Sequence, residues 1–351
     1  MRRGGWGVRS FPHNITDHHS RSFAVLKNTS FTNHLTFDAS YQLMFKTIRK
    51  MLEMIRFSHT VFALPFALLA AAMAWAAPAP EGFAVNFRVL DLVGILVCMV
   101  GARSAAMAFN RLADRFIDAE NPRTANRHLP AGELSVASVI AFTLISTLIF
   151  IGGTCLFLPN YMPLAVSIPV LGILFGYTYT KRFTSLAHFW LGLALMLSPV
   201  CAWLAVRGLI VAANPVDLLP AATLGLAILF WVAGFDIIYA CQDFEYDRQK
   251  KLNSIPVRLG VPGALRLASF CHAVTILFLN ALPFAENLGG PPLGLGWIYW
   301  LSIGLVAGLL IYEHAIVSAQ DLTKVNIAFF NVNAVISIGL FIAGTIDLFL
   351  I

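Results

Sequence analysis

Asp217-Leu-Leu-Pro-Ala-Ala-Thr-Leu-Gly-Leu-Ala-Ile-Leu-Phe-Trp-Val-Ala-Gly-Phe-Asp236-Ile-Ile-Tyr-Ala240 is an apolar run that turns polar at its end, in Cys241-Gln-Asp243-Phe-Glu-Tyr-Asp247. The run is long enough to cross a hydrocarbon core about 30 Å thick. Asp236 lies within it, where an ionisable group costs on the order of 2–3 kcal/mol and is a functional candidate by default. Two more aspartates, four residues apart, then stand at the run's exit. A second stretch has the same design: Asn110-Arg-Leu-Ala-Asp114-Arg-Phe-Ile-Asp118 closes another apolar run.

The rest of the chain agrees with a membrane setting. Of 351 residues 58% are hydrophobic and 12% charged, and the mean hydropathy is +0.75; soluble domains carry about 25% charged residues. Apolar windows fall at 59–77, 89–109, 135–157, 161–179, 187–206, 217–240, 264–283, 293–312 and 326–350. Backbone polar groups must be satisfied inside lipid, and windows of this length favour helices over the short alternating strands of a barrel. The expected fold is all-α, a polytopic membrane helical bundle of about nine transmembrane helices, with the lipid bilayer as its partner.

The net charge of +6 does not point to nucleic acid, because of where it sits. Basic residues precede the first window (Lys46, Arg49, Lys50, Arg56) and fill the connections after the second, fourth and sixth. The opposite connections hold little beyond Arg88 and Arg207. The positive-inside bias therefore puts the N-terminus and both aspartate clusters on the cytoplasmic face, with the C-terminus outside. Cys98, Cys155, Cys201, Cys241 and Cys271 show no paired spacing and read as small buried hydrophobes. Residues 1–43 are polar and lack the apolar core of a secretory signal; a disordered extension is expected there, with the membrane domain over 44–351 and Met44 a candidate start.

On a continuing helix Asn110, Asp114 and Asp118 share roughly one face, and Asp243 and Asp247 repeat the spacing. Mg2+ takes hard oxygen ligands and is usually held by one or two carboxylates plus substrate phosphates. Sparse carboxylates meeting across a cavity suit that role, whereas solvated helix ends are the structural alternative for either cluster alone. Cations are supplied by Arg123 and Arg127 after the first cluster, and by Lys181 and Arg182 after Tyr177; such groups make charge-assisted contacts to diphosphate oxygens. Arg103, about two turns before Asn110, must face either an anionic substrate or an internal aspartate. His59, His128, His188, His272 and His314 have no ligand spacing. Aromatics such as Tyr177 and Tyr239 are packing residues or pocket walls that stabilise positive charge.

These motifs resemble the UbiA superfamily of intramembrane aromatic prenyltransferases. The first cluster matches Asn-x-x-x-Asp-x-x-x-Asp, and the second Asp-x-x-Tyr-Ala-x-x-Asp-x-x-x-Asp. The resemblance runs from about Arg56 to the C-terminus and includes Phe-x-His-Thr-x-Phe-Ala-Leu-Pro-Phe (57–66), Tyr-x-Tyr-Thr-Lys-Arg (177–182) and Phe-Phe-Asn-Val-Asn (329–333). It is strongest for the 4-hydroxybenzoate polyprenyltransferase-like branch, some members of which prenylate dihydroxynaphthoate in the futalosine route to menaquinone. It implies Mg2+ held by Asn110, Asp114, Asp118, Asp243 and Asp247, with Asp236 nearby. It also implies diphosphate contacts from Arg123, Arg127, Tyr177 and Lys181, an aromatic-acid contact from Arg103, and Tyr239 at the substrate. The implied partners are a polyprenyl diphosphate and a small aromatic carboxylic acid, and the implied location is the bacterial inner membrane. The chain departs at Arg111, where many relatives place Asp. Rival readings are a UbiA-type enzyme for haem, chlorophyllide or homogentisate, and a transporter. A transporter calls for inverted repeats with broken helices at the midplane, while here the acids lie at helix ends on one side.

Overall fold

The computed structural model describes residues 45–55 and 62–350. The chain divides into two units, Met1–Lys50 and Met51–Ile351; residues 45–50 are helical, and the candidate site belongs to the second unit. The polar stretch 1–43, Met44 and residues 57–61 of the first matched motif lie outside the described residues.

Apolar runs and proline punctuation set the helices of the second unit. They are α1 (Leu64–Ala76), α2 (Val89–Ala113), α3 (Arg115–Glu120), α4 (Val136–Thr154), α5 (Met162–Thr180), α6 (Ala187–Ala213), α7 (Leu219–Ala240), α8 (Phe244–Gln249), α9 (Ile255–Ala281), α10 (Trp297–Ile316) and α11 (Asn333–Leu350). Prolines open α1, α5, α7 and α9 at their first turns, where the missing N–H costs nothing. No strand occurs among the described residues.

Eight helical stretches among the described residues are long and apolar enough to cross a membrane, so the chain is an integral, multi-pass, all-α membrane protein. The first of the nine expected spans is different. Within 59–77 the described helix is α1, 13 residues long, and at ~1.5 Å per residue it is shorter than the hydrocarbon core. Ala67 and Ala70 are wholly buried, as are Ala71, Met73 and Ala74. A helix that is apolar all round belongs inside a bundle; α1 packs against α6 and α11, and lipid-scale hydropathy does not distinguish such a helix from a span.

Small residues let the other helices approach closely, as expected where lipid removes the hydrophobic drive between them. A Cβ on Gly192 of α6 would sit 2.3 Å from the Leu229 carbonyl oxygen of α7. That contact packs the first turns of α6 against the middle of α7. Large apolar side chains such as Leu148 and Leu305 point outward, towards the lipid side of the bundle.

Arg207 corrects an expectation. It is not a residue of an exposed connection but lies inside α6, at a kink with φ −117° and ψ 17°. Its guanidinium is fully buried against Asp217. Nε and Nη2 donate to the two Asp217 oxygens at 2.9 and 2.6 Å, and the remaining donors reach the Ala77 and Pro78 carbonyls at 2.9 and 3.1 Å. The pair thus satisfies carbonyls at the C-terminal end of α1 that have no intrahelical partner.

Candidate active site

Both aspartate clusters are built on the same local device. α2 stops at Ala113, Asp114 takes φ −95° and ψ 5°, and the six-residue α3 follows. After α7 and a short 3₁₀ turn, Asp243 takes φ −96° and ψ 5°, and the six-residue α8 follows. The first cluster is therefore not one continuous helix as the spacing implied. Asp114 and Asp243 each occupy the sparsely populated bridge region, a conformation common at active sites, and each turns its short helix away from the spanning one. The Asp118 N–H still donates to the Asp114 carbonyl at 2.8 Å, which keeps the two carboxylates close.

The two devices meet. Arg123, in the loop after α3, donates from Nε and Nη2 to the two Asp243 oxygens at 2.8 and 2.5 Å, and from Nη1 to the Tyr239 hydroxyl at 2.9 Å. The Tyr246 hydroxyl of α8 donates to the Ile117 carbonyl of α3 at 3.1 Å, and Lys250 reaches Glu120 at 2.6 Å. The Asn253 N–H donates to the Lys181 carbonyl at 3.0 Å, fastening the second loop to the end of α5.

Between them lies a cavity of about 290 Å³. Every site residue expected from the sequence lines it. Asn110, Asp114 and Asp118 come from the first cluster, with Arg123 and Arg127 from the loop beyond. Asp236, Tyr239, Asp243 and Asp247 come from the second, and Arg103, Tyr177 and Lys181 complete the wall. Asp118 receives Arg127 Nη1 at 2.6 Å; Asp114 receives Asn110 Nδ2 at 3.0 Å and Arg182 Nη2 at 3.2 Å. Arg103 and Lys181 make no ion pair within 4.0 Å among the described residues, and Arg103 Nε is buried without a hydrogen-bond partner. The internal-aspartate alternative for Arg103 is thus not what the fold builds.

The oxygens present fit a divalent cation. Asp247 is buried and its Oδ2 has no hydrogen-bond partner. Among the described residues no three His, Cys, Asp or Glu side chains stand close enough to cage an ion. That agrees with a metal completed by substrate oxygens. Burial lifts the Asp114 carboxyl above the usual range, with Asp118 adding to the rise and the Arg182 hydrogen bond opposing it.

Sequence reasoning missed several members. His188 Nδ1 lies 2.7 Å from Asp236 Oδ2; their separation of 48 residues left no spacing signal. Tyr246, which the sequence did not single out, also lines the cavity, beside Arg182, expected among the cations, and Arg111, noted as a departure from the motif. Phe329 is carried by a π-helical turn, Ala328–Val332, of the kind often found at functional sites. Its ring packs at 5.2 Å and 87° on Phe235 and at 4.4 Å and 38° on Tyr239. The Asn333 amide holds that turn through the Phe329 carbonyl at 3.1 Å.

The chain and its fold have known counterparts. Residues 63–335 match the model of the UbiA prenyltransferase family. The 4-hydroxybenzoate octaprenyltransferase of Nitrosomonas europaea is 30% identical over 246 residues, 69% of this chain and 77% of that one. The apo structure of a UbiA homologue from Aeropyrum pernix K1 is 31% identical, covers 82% of this chain and 97% of its own, and superposes with a TM-score of 0.69. A UbiA homologue from Archaeoglobus fulgidus, solved bound to DMAPP and Mg2+, is 18% identical over 84% of this chain and 99% of its own, with a TM-score of 0.57, a likeness of fold. The chain belongs to the UbiA prenyltransferase family.

Proposed function

We propose that this protein transfers a polyprenyl group from an allylic diphosphate to a small carboxylated aromatic ring, 4-hydroxybenzoate or dihydroxynaphthoate, in quinone biosynthesis. The carrying observation is that carboxylates from two clusters far apart in the sequence, Asp114 and Asp118 with Asp243 and Asp247, line one cavity together with a surplus of cationic side chains. The relatives' activity supports the acceptor class, and the unpaired Arg103 guanidinium gives its carboxylate a partner.

Mg2+ would be held by oxygens of Asn110, Asp114, Asp118, Asp243 and Asp247, where it supplies positive charge to the leaving diphosphate. Arg123, Arg127, Tyr177 and Lys181 add donors to the same oxygens, stabilising charge that builds as the C1–O bond breaks. The π faces of Tyr239, Phe235 and Phe329 line the path of the developing allylic cation. Arg103 orients the acceptor, whose ring carbon ortho to a hydroxyl forms the new C–C bond. The diphosphate departs with the C–O electron pair, and the ring proton passes to it or to a cavity aspartate. Enclosure within the bundle keeps out water that would quench the cation. The basic loops beside the cavity support a bacterial inner-membrane enzyme with its site on the cytoplasmic face.

Membranes bearing the protein, offered radiolabelled polyprenyl diphosphate, Mg2+ and each aromatic acid in turn, are expected to yield a prenylated aromatic acid. Label entering neither acid, but appearing in haem, chlorophyllide or homogentisate, would overturn the acceptor assignment.

A further inference from the structure

Arg111, the residue after Asn110, places a permanent cation at the first cluster. Its side chain lines the cavity and is only 11% exposed. Nη1 donates to the Asn110 Oδ1 at 3.2 Å and lies 3.7 Å from Asp118 Oδ2. The other Asp118 oxygen is held by Arg127 at 2.6 Å. Asp118 is therefore flanked by two guanidinium groups, and Asn110 presents its oxygen to one of them. Asp247 differs in its charge partners: it has no ion pair within 4.0 Å among the described residues, although Asp118 Oδ2 and Asp247 Oδ2 alike are buried without a hydrogen-bond partner. Across the cavity, Arg103, Arg111, Arg123, Arg127, Lys181 and Arg182 oppose Asp114, Asp118, Asp236, Asp243 and Asp247. Six cations against five carboxylates leave a formal surplus of one positive charge, and an aspartate at 111 would make that one negative.

A guanidinium stays charged in any protein environment, and a divalent ion sharing Asn110 Oδ1 and Asp118 Oδ2 with it would meet a like charge at short range. We propose that Arg111 is a built-in cation that replaces metal charge at the first cluster, facing the diphosphate itself, so that a single divalent ion is held from the Asp247 side. This rests on the metal–diphosphate reading of the cavity and narrows it to one ion.

Mn2+ titration by electron paramagnetic resonance, on the full chain in lipid nanodiscs with inorganic diphosphate present, reads the stoichiometry without turnover. The wild-type protein is expected to bind one Mn2+, and Arg111→Asp two, with spin–spin broadening between them. Arg111→Gln should keep one Mn2+ while weakening diphosphate about tenfold, as loss of a charge-assisted contact does. Arg111→Lys, which preserves the charge, should retain both properties and serves as the control for folding. Two Mn2+ in the wild type, unchanged in Arg111→Asp, would overturn the role of Arg111 and leave the metal–diphosphate reading standing. No bound Mn2+ in any of these proteins would overturn both.

Discussion

An arginine grips an aspartate through both carboxylate oxygens at either end of α7, and the two pairs have different fates. Arg207 and Asp217 are 0% and 5% exposed, with Trp203 Nε1 also donating to Asp217 at 3.1 Å and carbonyls of the α1 end taking the remaining donors. Arg123 and Asp243 are 38% and 11% exposed, and face a cavity that also holds the unpaired Arg103 and Lys181. The chemistry of the two pairs is the same, but their closure is not. Where every donor and acceptor is satisfied by the fold, the pair is a fastening. Where donors open onto a cavity crowded with like-sized charges, the same pair is a set of ligands waiting to be shared with a substrate.

The sharpest way to break this comparison is Asp243→Ala. Turnover should fall on the order of 10³-fold, as when a principal charge-stabilising group is removed, while membrane insertion and the melting temperature hold; near-normal product formation would remove the carboxylate from the reaction. Asp217→Ala should do the reverse. Stranding the buried Arg207 charge should cost about 3–5 kcal/mol, read as a lowered denaturation midpoint, with activity per folded molecule retained. If instead Asp217→Ala melts normally and Asp243→Ala unfolds, the two ends have been assigned the wrong way round. Arg103→Ala is a smaller change, expected to raise the KM for the aromatic acid about tenfold to a hundredfold, the loss of a charge-assisted bond. The KM for the prenyl diphosphate should stay put, and equal shifts in both would move Arg103 out of the acceptor site.

The smallest effect is in pH. The Asp114 carboxyl is held above its ordinary range, chiefly by burial, so it binds a proton more readily than an exposed aspartate does. Protons then compete with Mg2+ there at a higher pH than elsewhere, and the Mg2+ concentration for half-maximal activity should climb as the pH is lowered from neutral. Asp114→Asn, whatever its residual activity, should flatten that climb; an unchanged slope would shift the competition to another carboxylate.

Much of this was legible from residue order. Hydropathy windows anticipated the spanning helices because a lipid core imposes length and apolarity on each helix separately. The paired Asp-x-x-x-Asp patterns marked the cavity because both close apolar runs, and Asp236 marked it because an ionisable group inside such a run is costly. What was not legible depended on neighbours far along the chain. Window 59–77 looked like any other span, yet its described helix, α1, is buried against α6 and α11. Arg207 read as a loop marker because its partner, ten residues on, lies across a turn and a kink. The contact between His188 and Asp236 joins α6 to α7, helices that Gly192 also allows to approach closely, and no local spacing announces it.

By itself the sequence determined a multi-pass helical protein with two acidic clusters and a cationic complement at one set of helix ends, since apolar length and charge placement are properties of each segment alone. Only the tertiary structure decided which arginine meets which aspartate, that Arg103 and Lys181 form no ion pair among the described residues, and that Phe329 is delivered to the cavity by a π-helical turn. Pairing and burial are set by helix packing, and packing depends on contacts between segments that no local pattern encodes.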